Sequence, residues 1–356
     1  MCFFTIFAQI SYRKGCLCGD SAQNKRVMAR RVAQHRIFDL AATLLIISVV
    51  TTLRSSLLPH SDEAIANVAT PLGEWLMFAE ERIPILSVII WGLSLIVAGL
   101  NVGRYGVRLS LYPAYTLMAI PIFGVVAAGV MCSGDYLLST VALTIMLLAT
   151  KYIMRCIMRS GSYGDLSLSM LYFGLLPLIY APTAIFYVAL PIITLVARSS
   201  WRDWVVTLSS LALPLAAVCY WSWCAGEAFL KPAREVYAAF LSQSEFHFFS
   251  IINPATIILL GILIVMVLCA ISLIFSDKYS LKVKSRVVMR FNALMLTLLI
   301  GLFFVPSASA TLFALLAVPT AILVPLIFVR MGVGFTEILY RLMLLAAAAN
   351  MLLMCW

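Results

Sequence analysis

Residues 256–275 read TIILLGILIVMVLCAISLIF. A helix rises about 1.5 Å per residue, so a run of this length reaches about 30 Å, the thickness of a bilayer's hydrocarbon core. The run is apolar on every face of a helix, whereas a barrel strand alternates polar and apolar over about ten residues. In hydrocarbon a segment must satisfy its own backbone hydrogen bonds. This stretch is therefore a membrane-crossing helix, and similar runs recur along the chain.

The composition agrees. The 356 residues are 63% hydrophobic and only 11% charged, against about 25% charged in soluble domains. The expected fold is all-α: a polytopic transmembrane helix bundle of about eleven spans. They fall near 39–58, 83–100, 112–131, 136–154, two within 166–197, then 204–223, 254–275, 291–305, 311–329 and 335–356. Residues 1–38 form a basic cytoplasmic tail and 39–356 the membrane domain. Met28 opens MARRVAQHRIF, a natural start, so residues 1–27 read as a dispensable or mis-assigned extension.

The 166–197 stretch is the test of this threading. It is too long for one span, barely long enough for two, and carries Pro177, Pro182 and Pro191. Proline removes a backbone donor and kinks a helix. The stretch reads as two short helices turning near Tyr180-Ala181-Pro182, either crossing thinly or forming a re-entrant hairpin. With that turn, 21 of the 25 Lys and Arg fall on one side, leaving Arg54, Arg82, Lys231 and Arg234 on the other. Basic loops stay in the cytoplasm, so the N-terminus is expected inside and the C-terminus outside, in a bacterial inner membrane. The formal charge of +10 follows from these flanking cations, and no basic patch carries the interleaved aromatics of a nucleic-acid site.

Ionisable groups are scarce, and none of the carboxylates lies mid-span, which disfavours a coupled transporter. The first outer loop carries Ser61-Asp62-Glu63, then Ile65, Val68, Leu72, Trp75, Leu76 and Ala79 at helical spacing, broken by Pro71. The pattern predicts a capped interfacial helix with acids in its first turn. Asp62 and Glu63 are candidate catalytic acids, able to act as a base on a lipid-linked substrate at the membrane surface; simple capping is the plainer reading. The second long outer loop carries Glu227, Lys231, Arg234, Glu235, Glu245 and His247. Glu227–Lys231 and Lys231–Glu235 are i,i+4 pairs. Lys231 and Arg234 are candidate phosphate-binding cations and His247 a proton shuttle, with ordinary surface pairing as the alternative. On the inner side, Trp201-Arg202-Asp203-Trp204 reads as an interfacial anchor at a helix start.

No H-E-x-x-H or comparable metal constellation occurs, and no motif names a cofactor. Gly332-x-Gly334 follows a helix rather than a strand, a weak nucleotide signal. Cys16 and Cys18 form a C-x-C without a second pair. Cys132 and Cys224 share the outer side, but read more simply as unpaired small apolar residues.

The 172–221 stretch, with Gly174, Tyr180, Pro182, Trp201, Arg202, Asp203, Trp204 and Pro214, resembles a family of uncharacterised multi-pass inner-membrane proteins of Bacteroidota that carries a W-R-[DE]-W motif. Leu100-Asn101 and Tyr112-Pro113 are similar to that family too. The arrangement also looks, more distantly, like multi-spanning glycosyltransferases that use polyprenyl-linked sugars. That likeness implies a catalytic acid in the first outer loop, where Asp62 or Glu63 stands; their loop, however, is longer and carries two surface helices. Together these readings imply a component of cell-envelope biogenesis, with the lipid bilayer and a lipid-linked sugar as partners. The alternatives are a non-catalytic scaffold that binds other envelope proteins, and, third, a lipid or polar-solute transporter.

Overall fold

A computed structural model describes residues 70–112, 116–130, 135–159, 162–198, 201–242, 253–276, 282–331 and 333–355. Asp62, Glu63, His247, the basic tail and the first expected span lie outside the described residues. Among the described residues every regular element is helical. The helices are α1 (Gly73–Arg82), α2 (Pro84–Arg108), α3 (Ala119–Gly124), α4 (Tyr136–Arg159), α5 (Tyr163–Ile179), α6 (Phe186–Arg198) and α7 (Trp201–Cys224). They continue as α8 (Lys231–Leu241), α9 (Pro254–Ser276), α10 (Val283–Gly301), α11 (Thr311–Leu323), α12 (Pro325–Arg330) and α13 (Val333–Cys355). Among the described residues, six stretches are long and apolar enough to cross a membrane: α2, α4, α7, α9, Val283–Phe304 and Thr311–Arg330.

The exterior is apolar where a soluble protein's would be polar. On α9, Ile257, Ile258, Ile264, Leu268 and Phe275 all point outward, and only 28% of its most apolar window is buried. An exposed apolar surface of this extent marks a membrane or partner contact. Thr311–Arg330, in contrast, is 89% buried. It is the central rod, packed by α2, α3, α4 and α10. Pro325 interrupts the rod's backbone ladder, and the Tyr112 hydroxyl donates to the nearby Ile322 carbonyl at 2.5 Å.

Beside the rod, α3 widens into a π-helical turn, Val125–Gly129, buried throughout. The Asn350 amide donates to the carbonyls of Gly129 (2.7 Å) and Val130 (3.1 Å). Its oxygen accepts from the Thr256 hydroxyl at 2.6 Å. One side chain thus ties α9 and α13 to backbone oxygens that lie in an apolar interior, where an unpaired carbonyl is costly.

The 166–197 stretch divides as its prolines indicate. α5 ends at Ile179, a 3-10 turn spans Ala181–Ile185, and α6 follows. α7 packs closely on α5: a Cβ added at Gly174 would meet the Leu211 carbonyl oxygen at 2.2 Å, so glycine sets the approach of the two helices.

Two expectations need correction. Helix α10 begins at Val283, so Lys284, Arg286 and Arg290 stand on a helix rather than in a loop; burial of Ser285, Val288 and Met289 extends it beyond the apolar run. Among its described residues, the third segment is regular from Ala119, with 116–118 outside the helix. On α1, Gly73, Met77 and Glu80 are buried, Leu72 and Leu76 pack partly against the core, and Trp75 is 79% exposed.

The loops sort into two ends. At one meet α1, the start of α4, the α5–α6 turn, α8 and residues 305–311. Leu72 N–H donates to Leu178 O (3.1 Å) and Ser307 Oγ to Phe240 O (3.1 Å). At the opposite end, Lys284 Nζ donates to Met158 O (2.9 Å) and Ser285 Oγ to Ser110 O (3.4 Å). Of the described Lys and Arg, only Arg82, Lys231 and Arg234 lie at the first end.

Candidate functional site at the cation-poor end

Three short segments build this end, and each solves a backbone problem. A helix leaves N–H groups unpaired at its start and carbonyls unpaired at its finish. The Thr70 hydroxyl donates to Ile179 O at 2.9 Å, and with Leu72 it covers the last carbonyls of α5. The Glu80 carboxylate accepts from the N–H groups of Tyr136 (2.8 Å) and Leu137 (3.0 Å). It thereby caps α4 across a gap of 56 residues. A carboxylate there also meets the positive end of the helix dipole, which allows Glu80 to be only 6% exposed. Further in, the Tyr180 hydroxyl accepts from Ser309 N–H (2.9 Å) and joins the α5–α6 turn to the start of the central rod.

The second segment is the exit from α7. Gly226 takes a left-handed φ of 86°. Its N–H donates to Trp223 O, and the Glu227 N–H donates to Ser222 O, both at 3.0 Å. This is the Schellman helix stop, for which glycine has no Cβ penalty. The stop aims Glu227 at the next helix. Its carboxylate accepts from Ser222 Oγ (2.9 Å) and Lys231 Nζ (2.5 Å).

Lys231 opens α8, with Pro232 following it in the first turn. Pro232, Val236 and Ala239 face the bundle, while Arg234 and Tyr237 face out, so α8 is an amphipathic surface helix. Lys231 pairs with Glu227 and more loosely with Glu235 at 3.9 Å. Glu74 of α1 adds a weak field at Lys231. The Lys231 bond and then the Ser222 hydroxyl hold the Glu227 carboxyl below its ordinary value; the Glu227 bond raises Lys231.

Ala228, Lys231, Arg234, Glu235 and Ala238 line an open groove of about 330 Å³. The elements at this end also carry exposed aromatic side chains: Tyr220, Trp221 and Trp223 on α7, Tyr237 on α8 and Trp75 on α1. Such aromatics favour the membrane–water boundary. The groove can take an anionic group at its rim, with Arg234 the cation less engaged by carboxylates and Lys231 already shared between two. Of the expected site residues, the structure brings Lys231 and Arg234 together; Asp62, Glu63 and His247 are outside the described residues. Glu80 and Glu74 escaped the sequence reading because their partners are distant in the chain.

At the other end, Trp201 and Trp204 stack with ring centroids 4.9 Å apart, Arg202 is exposed, and Asp203 is buried in the first turn of α7. The motif stands at a helix start, as its acid suggests. Compared with known proteins, the chain matches no family model, no curated protein and no solved structure.

Proposed function

We propose that this is an inner-membrane protein of cell-envelope biogenesis, threaded eleven times with its N-terminus inside and its C-terminus outside, and acting as a glycosyltransferase-like enzyme on a lipid-linked sugar. The observation that carries the reading is the Lys231–Arg234 groove, at an end of the bundle whose helices also carry exposed tryptophan and tyrosine side chains. A lipid-linked sugar has a membrane-embedded tail, a phosphate or pyrophosphate at the interface, and a sugar in water. A cationic groove at an aromatic belt suits the middle part. Arg234 binds the phosphate, with Lys231 beside it. Asp62 is the base that takes the acceptor's proton, Glu63 its neighbour, and His247 a shuttle. The segregation of cations between the two ends supports the orientation. The distant likeness to polyprenyl-linked-sugar glycosyltransferases supports the chemistry.

A second reading, a scaffold that binds other envelope proteins, draws on one observation: Lys231 is already ion-paired with Glu227 and Glu235. Deletion and complementation separate the two. Extraction of lipid-linked sugars from a deletion strain is expected to show a substrate accumulating, relieved by the wild type but not by Asp62→Ala or Arg234→Ala. Full complementation by both variants, with an unchanged lipid-sugar profile, removes the enzyme reading.

A further inference from the structure

Helix α8 carries a second apolar side that the bundle does not cover. Successive side chains turn by about 100° around a helix axis. On that wheel Pro232, Val236 and Ala239 form the buried sector. Half-buried Phe240 and Ala233 come next, then Tyr237, which is 65% exposed, then Leu241 and, one position before the helix, Leu230, both exposed. Arg234 follows, and Ala238, Lys231 and Glu235 complete the circuit. The outward surface of α8 is thus divided lengthwise. One half is large and apolar, the other small and charged, and Arg234 stands on the line between them.

Two attachments set how α8 lies. Its start is joined to the end of α7 through residues 225–230 and the Gly226 stop. Its finish is tied to the segment that follows α10, where Ser307 Oγ donates to Phe240 O at 3.1 Å. α7 and Val283–Phe304 are both long and apolar enough to cross a membrane. Each ends here on exposed aromatics, Trp221 on α7 and Phe304, 88% exposed, after α10. A helix held between the exits of two crossings runs along the membrane surface.

We propose that α8 lies in the surface of the phospholipid leaflet at the cation-poor end, with Leu230, Tyr237 and Leu241 dipped into the headgroup and upper acyl region and Arg234 on lipid phosphate. A lengthwise division into apolar and charged halves is the signature of an interfacial helix. The arginine stem follows the apolar half while its guanidinium reaches the phosphates, which it binds in bidentate fashion. A protein partner suits the surface less well. The apolar half is one strip of a helix about 16 Å long, against the roughly 800 Å² that each side of a standard interface buries. The proposal concerns the leaflet itself and stands whether or not the groove takes a lipid-linked sugar.

The test places single cysteines in a full chain without the native ones, carried in phosphatidylcholine vesicles and labelled with an environment-sensitive fluorophore. Quenching by brominated lipid is compared with quenching by aqueous iodide. Tyr237→Cys and Leu241→Cys are expected to favour the lipid quencher about threefold, and Glu235→Cys and Ala238→Cys the iodide by a similar factor. Ile264→Cys, on the exposed side of α9, supplies the lipid-facing reference. Adding Arg234→Glu is expected to shift position 237 toward iodide, and Arg234→Lys to leave it in place. A second measurement keeps the native cysteines: benzoylphenylalanine in place of Tyr237 is expected to capture phospholipid on illumination. Iodide quenching at 237 and 241 as strong as at 235, protection from both quenchers, or capture of a protein chain in place of lipid would overturn the proposal.

Discussion

Glu80 and Tyr136 form the contact on which the cation-poor end depends: a buried carboxylate closing the start of a helix 56 residues away, at 2.8 Å. The contact fixes α1 against α4. Removing the carboxylate leaves one buried and one partly buried N–H group without this acceptor, a loss of about 1–3 kcal/mol. Glu80→Ala is therefore expected to lower the unfolding midpoint in detergent and expose residues 70–82 to protease. Glu80→Gln keeps one acceptor oxygen and is expected to lose about half as much.

Asn350 makes the corresponding prediction for the interior. Asn350→Leu deprives the Gly129 and Val130 carbonyls and the Thr256 hydroxyl of their partner together. Interhelical hydrogen bonds in membranes are worth about 0.6 kcal/mol each on average, rising to nearly 2. The variant should unfold more readily than Thr256→Val, which removes only one of the three bonds. Equal stability of the two variants in a denaturant titration would contradict the network.

Ser110 is the described non-glycine residue with a left-handed φ, 47°. It closes α2 in a Schellman stop, with Leu111 N–H donating to Gly106 O and Ser110 N–H to Val107 O, both at 3.1 Å. A side chain in this conformation costs about 1 kcal/mol that glycine does not. Ser110→Gly is expected to raise the thermal midpoint, and Ser110→Val to lower it.

How much of this was legible in the sequence depends on the range of the interaction. The apolar run 256–275 identifies α9 directly, and Pro182 places the α5–α6 turn, because both are local properties of the chain. The acid of Trp201-Arg202-Asp203-Trp204 marks a helix start for the same reason. Glu80 looked like one more solvated acid, since nothing within α1 reveals that its partners are Tyr136 and Leu137. The π-helical turn left no periodic signal at all.

The Glu227–Lys231 pair gives a pH dependence with a worked sign. Glu227 titrates below its ordinary value, so its contribution is present at neutral pH and fades as acid protonates it. Lys231 titrates above its ordinary value, so its contribution is present at neutral pH and fades only as pH rises through that raised value. The junction of α7 and α8 is expected to be most ordered between these limits. Hydrogen exchange of residues 227–241, corrected for the intrinsic rate, should accelerate on moving from neutral to acidic pH in the wild type. In Lys231→Met the acceleration should be much smaller.

The most direct measurement of the central claim is which side of the membrane each end of the bundle faces. In a variant lacking the native cysteines, single cysteines replace Arg234 at the groove and Lys284 at the cation-rich end, and intact cells receive a membrane-impermeant thiol reagent. The account predicts labelling at position 234 without permeabilisation and at 284 only after it. Labelling of 284 in intact cells, with 234 protected, would contradict the orientation and remove the groove from the side where a lipid-linked sugar is proposed to meet it.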